Sequence, residues 1–188
     1  AEVTHKPGQV YAYCTTATTM LCMIIQKACG QEFMSVLRPV FDEIGVSRDA
    51  FCVETPCGHE WGGSGVCLTA REFLKFADLC THYGAYHGKQ LLPEVYMREA
   101  TTKQIDNGAF HAHADEDEGY GYQFWCNRRE GYRGDGAMGQ LCVILPERGI
   151  VAAVVGETAD MQTELDRLFE LIYALEDEND TACSADLD

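Results

Sequence analysis

The sequence predicts an α+β fold in which an antiparallel sheet of three C-terminal strands packs with helices. Two observations predict it. From about residue 13 to 105, apolar residues recur at helical spacing. Past about 119, short β-rich runs separated by turn signals take over, followed by one more helical pattern to about 175. Helices come first and strands later, without alternation and without internal repeats, so a doubly wound sheet is excluded. Residues 1–175 read as a single domain, and 176–188 as an acidic tail.

The elements follow in order. Residues 1–12 are polar, with Pro7-Gly8 as a turn signal. Thr15, Thr16 and Thr18 offer N-caps to a helix in which Met20, Leu21, Ile24, Ile25 and Ala28 recur, and Gly30 stops it. A second helix, from about Glu32 to Val40, is expected to bury Phe33, Val36 and Leu37. Residues 45–66 are glycine-rich and irregular. Thr69 and Glu72 then form a capping box for a helix burying Phe73, Phe76, Ala77 and Cys80. Pro93 opens a short helix to about Ala100. An acidic loop precedes an aromatic-rich run from Tyr120 to Cys126. The runs Leu141 to Leu145 and Ile150 to Val155 are joined by the turn Pro146-Glu147-Arg148-Gly149. A final amphipathic helix carries Met161, Leu165, Leu168, Phe169 and Ile172.

Composition removes several function classes. The 188 residues are 46% hydrophobic and 23% charged, an ordinary globular balance. The net charge of −16 argues against nucleic acid, whose phosphates need a basic patch. No stretch reads as a signal peptide or a membrane span. The ten cysteines include no Cys-x-x-Cys, and several sit in apolar runs. They read as reduced thiols and point to the cytoplasm.

Five segments carry a resemblance. They are Tyr11-Ala12-Tyr13-Cys14-Thr15 with the apolar helix after it, Gly62-Gly63-Ser64-Gly65 running into Leu68-Thr69-Ala70, and Gly88-Lys89-Gln90-Leu91-Leu92-Pro93. The others are Tyr120-Gly121-Tyr122-Gln123-Phe124-Trp125 and Gly134-Asp135-Gly136. In this order they resemble the serine β-lactamase and penicillin-binding-protein-like hydrolases, especially the class C branch with its esterase relatives. The resemblance implies a β-lactamase/transpeptidase-like fold, incomplete at its N-terminus, and acyl transfer on small ester or amide substrates without a cofactor. It also implies that Tyr13 is the general acid/base, with Thr15, Gly134, Asp135 and Gly136 against substrate.

The chain departs from the family pattern in three places. None of its four serines is followed by a lysine three positions on: Ser35 meets Arg38, Ser47 Ala50, Ser64 Cys67 and Ser184 Leu187. The family's Ser-x-x-Lys nucleophile lies before the tyrosine motif, and Tyr13 leaves no room for it. The chain is therefore expected to be a piece of a longer enzyme, or else a natural truncation, and inactive alone. Thr15 replaces the family's Asn. Asp135 stands in a strand that usually carries Lys or His, with Arg133 expected on the other face, so carboxylate substrates are disfavoured.

Other candidates are weaker. His111 and His113, beside Asp115 and Glu116, could ligate a divalent cation, but the spacing in an acidic loop says little and no metal is expected. Cys52 and Cys57 could be nucleophiles, with only His59 nearby in sequence. The glycines at 62, 63 and 65 do not form a phosphate loop, because no Lys-Ser/Thr follows. A non-catalytic binding domain on the same fold is the alternative function. Self-association through an exposed sheet edge at Ile150 to Val155 is a further expectation.

Overall fold

The computed structural model describes residues 5–108 and 114–185, with side chains on the last helix as far as 176. His111 and His113 lie outside the described residues. Among the described residues, five α-helices and three small sheets follow in order. Helix α1 (Thr15–Cys29) and helix α2 (Phe33–Glu43) pack together. Strand β1 (Phe51–Cys52) pairs antiparallel with β2 (Val66–Cys67) ahead of helix α3 (Ala70–Thr81). The hairpin of β3 (Ala85–Tyr86) and β4 (Lys89–Gln90) leads to helix α4 (Glu94–Ala100).

The main sheet is an antiparallel meander of β5 (Trp125–Cys126), β6 (Tyr132–Gly136), β7 (Gln140–Leu145) and β8 (Ile150–Val155). Helix α5 (Met161–Ala185) closes the chain. The three apolar or aromatic runs are joined by β6, which lies where the resemblance implies a strand at Gly134-Asp135-Gly136 and whose Tyr-Arg-Gly-Asp-Gly sequence has no apolar run to announce it. Helix α5 also passes the end near 175 expected from its apolar pattern. No Gly or Pro follows Met161 to stop it.

Strand alternation divides the core into two layers. On one face Leu141, Val143 and Leu145 of β7 pack against Leu165, Leu168, Phe169 and Ile172 of α5, joined by Ile150, Ala152 and Val154 of β8. On the other face Cys142 and Ile144 meet Ala77 and Cys80 of α3, with Val151 and Ala153 beside them. Each buried Leu, Val or Ile contributes roughly 1.5–3 kcal/mol by leaving water. A third cluster holds α2 against α3 through Met34, Phe41, Ile44 and Leu79. Here Met34 and Phe41 are the buried residues of α2, while the expected Phe33, Val36 and Leu37 are only half-buried.

The capping box forms as the sequence requires. Thr69 Oγ1 accepts from Glu72 N at 3.3 Å, and Glu72 Oε2 accepts from Thr69 N at 2.8 Å. Gly30 ends α1 in the left-handed conformation, at φ 65°. Helix α1 nevertheless differs from expectation at its start. Its N-cap is Cys14, with no side-chain hydrogen bond. Its apolar residues point outward, with Met20, Leu21 and Ile24 all more than half exposed. The inward face carries Thr15, Thr18, Thr19 and the buried Cys22.

Glycines explain that choice of face. A Cβ on Gly62 would sit 2.2 Å from Cys22 Sγ, and one on Gly63 would sit 2.5 Å from the Thr15 carbonyl oxygen. The glycine-rich stretch is the surface on which α1 lies, and only glycine permits so close an approach.

Candidate functional site

The N-terminal segment brings Tyr11 and Tyr13 onto the aromatic run that precedes and begins β5. Tyr13 stacks on Trp125, with ring centroids 5.4 Å apart, and meets Tyr120 edge-on at 6.3 Å. Tyr11 approaches Tyr120 at 5.1 Å and Trp125 at 6.1 Å. Tyr120 and Trp125 are buried, whereas Tyr13 keeps 44% of its surface open. Thr18 Oγ1 donates to Gln123 Oε1 at 2.9 Å, pinning the first turn of α1 to this loop.

Tyr13 sits in an acidic setting. Partial burial pushes its phenol above the ordinary value, the Asp135 carboxylate adds to this, and Glu116 adds further. A hydrogen bond with the Thr15 side chain pulls the other way. The phenol is therefore held protonated. A proton-accepting tyrosine needs the opposite field, from a nearby cation.

Asp135 is not left as a bare negative charge. Arg133, two residues back on β6, donates from Nε to Asp135 Oδ2 at 2.9 Å. The expectation that Arg133 faces away is corrected, because residues i and i+2 of a strand share a face. Arg133 is 1% exposed. Its Nη1 donates to the carbonyls of Asp115 and Cys126 and to Asn127 Oδ1, each at 3.2 Å. Its guanidinium lies 5.6 Å from the centre of the Trp125 ring. One buried cation thus ties β5, β6 and the turn at Ala114–Glu116 behind the aromatic wall.

The same alternation separates the expected strand residues. Tyr13, Thr15 and Asp135 come together. Gly134 and Gly136 turn to the opposite face, where a Cβ on Gly134 would meet Phe73 of α3 at 3.6 Å, and one on Gly136 would meet Gln140. The buried partners Arg133, Tyr120 and Trp125 were not singled out from sequence as site residues. The Tyr-rich segments at both ends were the available signal, but which rings meet depends on tertiary packing.

The cysteine candidates resolve differently. Cys52 is buried, and burial with neighbouring Glu60 and Cys22 pushes its thiol up to about 11, too high for a nucleophile near neutral pH. Cys57 is exposed. The cysteines from Cys14 to Cys142 are all free thiols. Among the described residues, no group of three or more His, Cys, Asp or Glu could hold a metal ion. No helix among them is long and apolar enough to cross a membrane.

Helices followed by an antiparallel meander and a packing helix, with a tyrosine at the head of α1 beside a central strand, define part of a β-lactamase-like hydrolase fold. Solved structures bear this out. The chain is similar to a protein from Bacillus anthracis assigned as a 6-aminohexanoate-dimer hydrolase, at 25% identity and a TM-score of 0.74, over 92% of this chain and 45% of that one. It also matches a protein from Bacteroides dorei assigned as a β-lactamase, at 16% identity and TM-score 0.62, over 89% of this chain and 60% of that one. A β-lactamase from Mycobacterium bovis matches at 16% identity and TM-score 0.66, over 86% and 62% of the two chains. The chain spans 45 to 62% of the length of these structures, so it carries a portion of their fold. No protein-family model and no curated protein matches the sequence.

Proposed function

We propose that the chain is the C-terminal portion of a serine hydrolase that transfers the acyl group of a small ester or amide substrate. Its nucleophile comes from a part of the fold outside these 188 residues. The observation that carries this reading is Tyr13, placed at the head of α1 beside Thr15 and Asp135. A tyrosine there can relay a proton between a serine hydroxyl and a leaving group once a lysine lowers its pKa. In this chain partial burial, with Asp135 adding to it, holds the phenol protonated, and none of the four serines is followed by Lys at the third position. The isolated chain is accordingly inactive. The exposed apolar face of α1 supports the same reading, since the matched structures are longer and have further chain to cover it.

The Arg133–Asp135 pair revises the expected specificity. With its charge compensated, Asp135 no longer disfavours a carboxylate substrate, and neutral and anionic acyl groups are both admissible. The assignment of the Bacillus anthracis protein favours an amide-linked amino-acid dimer over a β-lactam. Free thiols among the described cysteines fit a reducing compartment such as the cytoplasm.

The test is a fluorophosphonate probe, with nitrocefin and p-nitrophenyl acetate as substrates. The chain alone should give no labelling or turnover above a denatured control. Restoring the upstream part of the reading frame, with its Ser-x-x-Lys, should give one labelled serine and turnover that Tyr13→Phe abolishes. Labelling of a serine in the chain alone would overturn the proposal. An upstream sequence without Ser-x-x-Lys would favour the second reading, a non-catalytic binding domain, which the protonated Tyr13 also suits.

A further inference from the structure

Gln123 lies in the tight turn between Tyr120 and Trp125, where Gly121 N donates to the Phe124 carbonyl at 2.8 Å. Its backbone is in the left-handed region, at φ 69°. Glycine takes that conformation without steric cost, whereas a residue with a side chain is strained there. Strained positions of this kind concentrate where a side chain has a task.

The carboxamide is held by its oxygen. Gln123 Oε1 accepts from Thr18 Oγ1 at 2.9 Å and, more loosely, from the Tyr120 hydroxyl at 3.5 Å. Tyr120 meets the Tyr13 ring edge-on, and Thr18 lies one turn along α1 from Thr15. Two groups that flank Tyr13 therefore fix the amide. Gln123 is exposed, and its Nε2 makes no hydrogen bond among the described residues.

The other polar side chains around Tyr13 are already engaged. The Thr15 hydroxyl bonds to Tyr13, and the Thr18 hydroxyl donates to Gln123. Asp135 accepts from Arg133 Nε, and a carboxylate has no proton to offer a substrate. Arg133 itself is buried behind the aromatic wall. In this group Gln123 Nε2 is the neutral donor left uncommitted, and it carries two protons.

We propose that Gln123 determines substrate specificity by donating from Nε2 to a carbonyl oxygen in the acyl arm of the substrate, beside Tyr13. The inference rests on the proposed acyl transfer and deepens it. The favoured substrate carries an amide within its acyl arm, in addition to the ester or amide bond that is cleaved. A donor preset by two hydrogen bonds needs little ordering when such a carbonyl binds. A bare acetyl arm offers Nε2 no acceptor.

The test uses the complete enzyme, with the upstream part of the reading frame restored, and two esters that differ by one amide. These are p-nitrophenyl acetate and the p-nitrophenyl ester of N-acetylglycine. Gln123→Met keeps the side chain's length and removes the donor. It should lower kcat/KM for the N-acetylglycine ester about tenfold, mainly through KM, and that for the acetate by less than about twofold. Gln123→Glu keeps an acceptor for Thr18 and Tyr120 and should shift the ratio between the two esters in the same direction. Gln123→Gly relieves the turn, so the urea midpoint of the 188-residue chain should hold or rise while the ratio shifts again. An unchanged ratio in these variants would overturn the proposal. A lowered midpoint in Gln123→Gly would then place Gln123 among the residues that only hold the fold. A complete enzyme that cleaves neither ester would instead reject the acyl transfer on which the inference rests.

Discussion

Arg133 and Asp135 form a 2.9 Å ion pair across one strand repeat of β6, with side-chain exposures of 1% and 12%. Removing either partner leaves a buried charge uncompensated. Arg133→Met should therefore destabilise the fold by about 3–5 kcal/mol in urea denaturation. The double variant Arg133→Met/Asp135→Leu should recover most of that loss, because it removes both buried charges together. Equal instability in the single and double variants would assign the effect to the lost carbonyl contacts instead.

Tyr11, Tyr13, Tyr120 and Tyr132 all have phenols pushed up, with burial as the leading cause. A folded value raised above the unfolded one gives stability that is complete below the unfolded pKa of about 10 and is lost as pH rises through the folded values. Thermal melts should hold steady near pH 8 and fall above about pH 10. The part of the tyrosinate absorbance that belongs to these four of the nine tyrosines should appear with unfolding, not before it. Ionisation of all nine in a still-folded chain near the ordinary value would contradict the packing of these rings.

Glu72 behaves in the opposite sense. Hydrogen bonds from the Thr69 and Ser47 backbone, and from the Thr69 hydroxyl, lower its pKa below 4.5. Stability from this group is present above the unfolded value and lost as pH falls through the folded one. Thr69→Ala should cost about 1 kcal/mol. Glu72→Gln should flatten the acid limb of the stability profile, measured by denaturation at a series of acidic pH values.

Gly63 is tested most simply. An added methyl would meet the Thr15 carbonyl oxygen at 2.5 Å and Thr19 Oγ1 at 2.6 Å. Gly63→Ala should lift the first turn of α1 and cost about 1–3 kcal/mol. It should also loosen Tyr13, visible as altered near-ultraviolet circular dichroism.

How far the fold was legible depended on the range of the interaction. The Thr69–Glu72 box and the Gly30 stop are set by neighbours within a turn, and both form where the sequence places them. Strands β7 and β8 declare themselves by apolar runs around a turn. Strand β6 does not, because its two glycines and its Arg133–Asp135 pair take the place of a hydrophobic alternation. The face that α1 turns inward is not legible either, for a related reason. Its apolar stripe looks like a core face, but the glycines at 62 and 63, some 40 residues away, draw the threonine and cysteine side inward. At the site, Tyr13 was identifiable through family likeness, whereas its stacking on Trp125 and its acidic setting are tertiary facts.

The turn between β7 and β8 carries Arg148, whose Nε donates to Glu130 at 2.8 Å and whose Nη1 donates to Glu176 at 2.7 Å. Tyr173 closes the ring by donating to Glu130 at 3.0 Å. These three contacts join the loop before β6, the hairpin and the final helix, and they form only when the hairpin is in step. A slip of one residue would turn the strand's inward side chains outward and carry the guanidinium out of reach of both carboxylates. The clasp thus acts as a proofreader of strand pairing. Shortening the chain ahead of Glu176 would remove one of its two acidic arms and leave the hairpin freer to settle out of register.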